Sequence, residues 1–282
     1  MGGALLSFMA MAISGRELSV ELETFEILVY RSIVGLIIVL VMIQRSGWGQ
    51  VRTKHFGVHF IRNSFHLAGQ FGWFYGIALI PLAQVFAIEF TAPIWASVLA
   101  VIILKERMTP SKLLAVALGI SGMLIILRPG FETIQPAVLM VLMGALGYAT
   151  SYVLTKKLTR TDTPLCILFF MSAIQLPMAL IPTIGSLTVP SLHMLPWLIL
   201  VGSTALSAHY CLARAFLLAD ATVVIPLDFL RLPLIAMVGY LVYSEPLDAL
   251  LFIGALVMMT GNIINVRAAS RGPRSTMPES DS

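Results

Sequence analysis

Long apolar runs, broken at intervals by short clusters of charged and turn residues, dominate the chain. A helix that crosses lipid needs about 20 mostly apolar residues, because every backbone amide must find its partner inside the segment. Against that length the pattern predicts ten membrane helices, at about 3–19, 25–43, 57–79, 82–104, 111–127, 136–155, 164–184, 194–218, 221–243 and 248–266. The breaks at Arg45–His55, Lys105–Lys112, Arg128–Gln135, Lys156–Thr163 and Gly185–His193 carry residues suited to ending and joining helices. No Lys or Arg precedes the first apolar run, so it is expected to be a membrane helix, not a cleavable signal peptide. Beyond Val266 the chain becomes rich in Arg, Ser and Pro, which predicts a disordered tail over 267–282.

Composition agrees with lipid as the solvent. Hydrophobic residues make up 58% and charged residues 11%, where a soluble domain averages about 45–50% and about 25%. Such an excess of apolar side chains has no place on a water-facing surface. The basic residues never gather with aromatics in one segment, which excludes nucleic acid as a partner class. Cys166 and Cys211 both lie in apolar runs and imply no disulfide framework.

Charge placement sets the orientation, since Lys and Arg are retained on the cytoplasmic side. With the N-terminus inside, twelve Lys and Arg fall in inside loops and the tail, and only Arg16 and Arg128 fall outside. Four more, Arg31, Arg62, Arg214 and Arg231, lie within apolar segments. Both termini are therefore expected in the cytoplasm.

The chain also repeats itself. A shift of 139 positions lays Glu89 on Asp228, Glu106 on Glu245 and Ser121-Gly122 on Thr260-Gly261, while Gly144-Ala145-Leu146 echoes Gly3-Ala4-Leu5 at a nearby offset. Each half holds five predicted helices. An odd number forces the second half to enter the bilayer from the opposite side, giving inverted repeats over 3–127 and 136–266.

The residues around these matches are familiar. Pro81-Leu82-Ala83-Gln84-Val85, Phe90-Thr91-Ala92-Pro93 and Leu104-Lys105-Glu106-Arg107-Met108 in the first half face Ala219-Asp220-Ala221-Thr222-Val223, Phe229-Leu230-Arg231-Leu232-Pro233 and Ser244-Glu245-Pro246-Leu247 in the second. This pattern resembles the drug/metabolite transporter superfamily in its EamA-type ten-helix branch, from about Gly3 to Arg267. The resemblance implies an all-α, ten-helix, exporter-like fold in a bacterial inner membrane, moving amino acids, vitamins, nucleotide-like metabolites or drugs. Glu89 departs from it, since many relatives are apolar or hydroxylated there.

Ionisable groups deep in a membrane are costly and are functional candidates by default. At 1.5 Å per residue, Glu89 lies about 10 Å from one face, and Asp228 and Arg231 lie about 10 Å and about 15 Å from the other. Asp228 and Arg231, three apart, share a helix face and can pair, with Pro226 and Pro233 loosening the helix on either side. Arg231 is the expected seat for a substrate carboxylate or phosphate; the alternative is a structural salt bridge. Glu89 and Asp228 are the expected proton-coupling groups, and the alternative for Glu89 is a structural contact with Arg31 or His66. Two polar stripes at helical spacing add binding candidates: Arg62, His66, Gln70 and Trp73, and Ser203, Ser207, Tyr210 and Arg214. Tyr75, with Phe71, Trp73, Phe74, Trp95, Tyr148 and Tyr152, could wall an amphipathic cavity, the alternative for each being an interfacial belt position; Arg62 and Arg214 could instead snorkel to a headgroup. The glycines Gly69, Gly72, Gly76, Gly119 and Gly122 suit close helix packing.

Together these features predict a secondary carrier, monomeric or dimeric, that moves a small anionic amphipathic metabolite by alternating access; that it exports is what the resemblance alone implies. No cofactor is expected, and no G-x-x-x-x-G-K-[ST] loop for ATP is present. Uptake by the same fold and a passive channel are the nearer alternatives. The more distant one is a serine protease, with Gly119-Ile120-Ser121-Gly122 as the nucleophile motif and His209 as base; its want of a supporting acid disfavours it.

Overall fold

The computed structural model describes residues 1–105, 107–129, 134–218 and 227–271, and these form α-helices joined by short turns and three 3-10 helices of one turn. In chain order the α-helices are α1 (Gly2–Leu18), α2 (Thr24–Ser46), α3 (Phe56–Leu79), α4 (Leu82–Glu89), α5 (Ala92–Leu104), α6 (Pro110–Leu127), α7 (Pro136–Leu158), α8 (Pro164–Leu180), α9 (Leu195–Leu218), α10 (Arg231–Tyr243) and α11 (Ala249–Arg271). Seven segments among the described residues are long and apolar enough to cross a membrane: α2, α6, α7, Leu82–Ile103, Pro164–Thr183, Leu192–Cys211 and Ala249–Ala269. The 24-residue α3 is long enough, but Arg62, Asn63, His66 and Gln70 dilute its apolar character. Glu106, Pro226, Arg274 and the run Ala219–Val223 fall outside the described residues.

Helix starts follow local chemistry. α6 and α8 each open with Thr then Pro: the Thr109 and Thr163 hydroxyls accept from the amides of Lys112 and Cys166, and the proline occupies a position whose N–H would have no partner. α2 begins with a reciprocal capping box between Glu23 and Glu26.

The segment expected to run unbroken over 82–104 is instead divided at Phe90-Thr91 into α4 and α5. Pro93 explains the division. It has no amide to offer the Glu89 carbonyl, and its ring crowds that turn. A second break falls at Leu230, after the helical residues 227–229 and before α10, with Pro233 just beyond. α5 and α10 also end alike, on left-handed residues Lys105 (φ 56°) and Ser244 (φ 54°). α11 runs on to Arg271, five residues into the stretch expected to be tail.

Lipid supplies no hydrophobic drive between apolar helices, so close packing must. The principal pairs are α3 with α7, α6 with α11, α1 with α9 and α2 with α8. Glycine permits the closest of them. A Cβ at Gly72 would overlap the Met140 carbonyl, one at Gly76 would strike Val141, and one at Gly144 would lie 2.9 Å from the Gly69 oxygen. Between α6 and α11, Gly122 and Gly254 each face the other's carbonyl, and Gly261 faces that of Ala115.

Polar clamps close both ends. At one end Arg16 pairs with Glu245 at 2.9 Å and donates to the Ile80 carbonyl, while Glu245 accepts from the Leu82 amide. At the other, His59 meets Asp162 at 2.6 Å in the α7–α8 turn, with Cys166 beside them. Burial pushes the Asp162 carboxyl up, but hydrogen bonds from Thr53, His59 and Thr161 outweigh it and hold the group below the usual carboxylate range. A carboxyl depressed on folding adds stability above its unfolded value, and that stability is lost as pH falls through the folded value. Asp162→Asn should therefore lower the thermal unfolding midpoint by several degrees at pH 7. A melting curve that does not move at that pH would rule out the clamp.

Candidate functional site

The two helix breaks bring the deep charges together. Glu89 ends α4 and Arg231 begins α10, so both lie at helix ends bordering the breaks. Arg231 is 4% exposed. Its Nη2 donates to Asp228 at 2.7 Å and its Nη1 to Glu89 at 3.4 Å. The other Glu89 oxygen accepts from the Trp73 indole at 2.8 Å. The guanidinium also stands over the rings of Phe8, Phe86 and Phe90, the nearest at 4.3 Å from the Phe8 centroid. Phe90 and Phe229 stack on one another at 4.1 Å.

One guanidinium thus serves two carboxylates. Sequence spacing anticipates Asp228, three residues before Arg231, but cannot supply Glu89, which reaches it from α4. Neither Arg31 nor His66 contacts Glu89 within hydrogen-bond distance; its partners are Trp73 and Arg231.

Beside this triad lies a small cavity of about 20 Å³, room for about one water molecule. His66, Gln70, Trp73 and Glu89 line it, joined by Arg31, Tyr148, Tyr152, His209 and Phe8. His66 is held from two sides, its Nδ1 within 2.8 Å of the Gln175 amide nitrogen and 3.0 Å of that of Gln70. Below it Arg62 donates to Thr155 and Asn63, and Asn63 to the Phe170 carbonyl. Arg62 is therefore a buried link between α3, α7 and α8, 6% exposed, and does not snorkel to a headgroup.

Three candidates lie elsewhere. Tyr210 is 60% exposed and Arg214 is exposed, on the side of α9 away from the cavity lining. Tyr75 stacks on Phe71 and faces a surface groove with Phe25. Helical periodicity groups residues on one face without saying whether that face meets helices or lipid, and for α9 it meets the outside at these two positions. Arg31 and His209 are two polar lining residues outside the polar stripes, because each stands without a polar neighbour at helical spacing. Ser121 donates to the Ala117 carbonyl in its own helix and His209 lines the cavity, so no serine–histidine pair forms.

Comparison with known proteins places this site in context. Over 252 residues the chain is 29% identical to a riboflavin transporter of Brucella anthropi, covering 87% of this chain and 89% of that protein. It is 26% identical over 261 residues to an S-adenosylmethionine uptake transporter of Rickettsia bellii, covering 92% and 89%. A crystal structure at 14% identity superposes with a TM-score of 0.61 over 96% of this chain and 98% of the other, which establishes a shared fold. The family model for EamA-like transporters matches twice, over residues 2–128 and 135–267. Matched along nearly its whole length, this multi-pass membrane protein belongs to the EamA-like transporter family, a family of transporters and not of enzymes.

Proposed function

We propose that the chain is a secondary carrier for a small amphipathic metabolite, working by alternating access around the Glu89–Arg231–Asp228 triad. The observation that carries this is the triad itself. A buried arginine and two partly buried carboxylates from two broken helices converge beside an aromatic-lined cavity, the arrangement expected where irregular backbone at membrane depth serves a substrate path.

The carrier crosses the membrane ten times, the seven apolar spans being completed by α1, α3 and the segment containing α10. It is built of two inverted repeats, 3–127 and 136–266. Several pairs of contacts support the repeat, each related by the 139-residue shift or one close to it. Glu89 and Asp228 share one cation. Phe90 stacks on its own counterpart Phe229, as residues beside a twofold axis would. The left-handed ends Lys105 and Ser244 are 139 apart, and Gly122 against Gly254 is matched by Gly261 against Ala115. The pairing of α1 with α9 mirrors that of α3 with α7.

Both termini face the cytoplasm of a bacterial inner membrane, so the Arg16–Glu245 clamp closes the outer side and the His59–Asp162 clamp the inner. A ligand site for a metabolite has about 300–1,000 Å³, far more than the present cavity, so the conformation described is occluded and contracted. Riboflavin and S-adenosylmethionine, named for the relatives, each carry a flat heteroaromatic ring, which suits the aromatic walls. Uptake, named for the Rickettsia protein, is the direction preferred here over export.

Glu89 exchanges the coupling proton. In proteoliposomes, Glu89→Gln should bind but lose the response of labelled riboflavin or S-adenosylmethionine flux to an imposed pH gradient. A wild-type flux that ignores pH, or a variant profile identical to wild type, removes Glu89 from coupling. Trans-stimulation should accompany transport, whereas a passive channel would show none.

A further inference from the structure

We propose that Arg31 is the anion receptor of the central cavity, and that the substrate joins one anionic group to a flat aromatic ring. This deepens the carrier assignment above and rests on it. Arg31 lies on α2, seven residues after Thr24, about 10 Å into the helix. Its residue is 5% exposed, its side chain lines the cavity, and its Nε has no hydrogen-bond partner.

The contrast with the other buried charges is what singles it out. Arg231 holds two carboxylates, Arg62 holds Thr155 and Asn63, Glu26 accepts from Thr188 and the Glu23 amide, and Asp162 holds His59. Among the described residues nothing pairs with the Arg31 guanidinium. Burying an unpaired ion costs several kcal/mol even after relaxation, and a cost of that kind persists where a bound partner offsets it in the working cycle. A guanidinium offers the forked donor geometry that matches a carboxylate or phosphate oxygen pair.

The cavity's own carboxylate does not fill that role, because Glu89 is turned to Trp73 and Arg231. Arg231 and its two carboxylates satisfy one another, which leaves Arg31 as the cation of the cavity lining for a ligand to meet. The Gln70 Oε1, also buried and without a partner, adds an acceptor for a ligand N–H. Trp73, Tyr148 and Phe8 supply ring faces, with His66 edge-on to Tyr148 at 5.6 Å and His209 edge-on to Phe8 at 5.9 Å.

The test compares an acid with its neutral isostere on the purified full chain in lipid nanodiscs. 4-Nitrobenzoate and 4-nitrobenzamide share ring, size and the ability to quench indole fluorescence, with Trp73 in the cavity wall as reporter. Wild type should bind the acid at least about tenfold more tightly, the discrimination that about 1.4 kcal/mol of charge-assisted hydrogen bonding provides. Arg31→Gln should bind the two alike, and Arg31→Lys should keep part of the preference. Unliganded Arg31→Met should melt no lower than wild type, because it removes a charge without removing a contact; a structural cation would show the reverse. Equal binding of acid and amide by wild type, no saturable quenching by the acid, an undiminished preference in Arg31→Gln, or a midpoint several degrees lower in Arg31→Met would each overturn the proposal. The pH response of Glu89→Gln is a separate readout. If it disappears as expected while Arg31 shows no selectivity, the carrier stands and the anion receptor falls.

Discussion

Arg231→Met should abolish transport and destabilise the protein together. The substitution roughly keeps the aliphatic volume under Phe8 and Phe90 but leaves Glu89 and Asp228 facing one another without a cation. Removing one partner of a buried charge cluster costs about 3–5 kcal/mol, because the remaining charges lose their compensation while staying out of water. Flux should fall to the background of empty liposomes, and the unfolding midpoint should drop with it. Combining Arg231→Met with Glu89→Gln separates the two effects: stability should recover in part, since one stranded carboxylate is gone, while flux stays at background. If the double variant transports, the triad does not drive the cycle; if the single variant melts like wild type, the triad does not hold the helices.

An equally large effect on assembly is expected from one methyl group. Gly72→Ala places a Cβ against the Met140 carbonyl, which is backbone and cannot rotate aside, so α3 and α7 must move apart. The separation would propagate to Gly69, Gly144 and Gly147, which rely on the same approach. Overpacking of a tight core costs about 1–3 kcal/mol and occasionally more, and here it also loosens the helix that carries His66, Gln70 and Trp73. Gly57→Ala, on the same helix with nothing within 4 Å of the added carbon, is the matched control. The yield of monodisperse protein after detergent extraction should fall sharply for the first and not for the second. Equal yields would mean that the α3–α7 seam tolerates a shift.

Much of the architecture is visible in the chain because lipid leaves few options. The apolar runs locate helices to within a few residues, and the glycine spacings on α3 and α6 locate the seams. Periodicity fails where two influences compete. Proline at 93 divides a run whose hydropathy is continuous, so composition alone reads 82–104 as one rod. On α9 the stripe Ser203, Ser207, Tyr210 and Arg214 is regular, yet Ser207 bonds to Ser7 at 2.6 Å while Tyr210 and Arg214 face outward.

The site was legible in part. Glu89, Asp228 and Arg231 stand out by depth, and His66, Gln70 and Trp73 by spacing. Arg31 resists both methods. It has no partner along its own helix, and its lack of one across the bundle is a three-dimensional fact. The Glu89–Arg231 contact, between residues 142 apart, is likewise invisible to any local rule. Only the repeat hints at it, by laying Glu89 on Asp228, the residue that Arg231 already serves.

That sharing has a consequence for energetics. A duplicated, inverted protein with identical halves would have inward- and outward-facing forms of equal free energy, each the image of the other. The position related to Arg231 by the same shift is Ala92, so a single positive group is tethered to one half and leans across to the other. Its strong bond is to the short acid beside it and its longer one to the acid opposite. In the alternating-access carrier proposed above, each rocking motion would stretch one unequal tether, and the resting population should be skewed toward one side of the bilayer even before any gradient is applied.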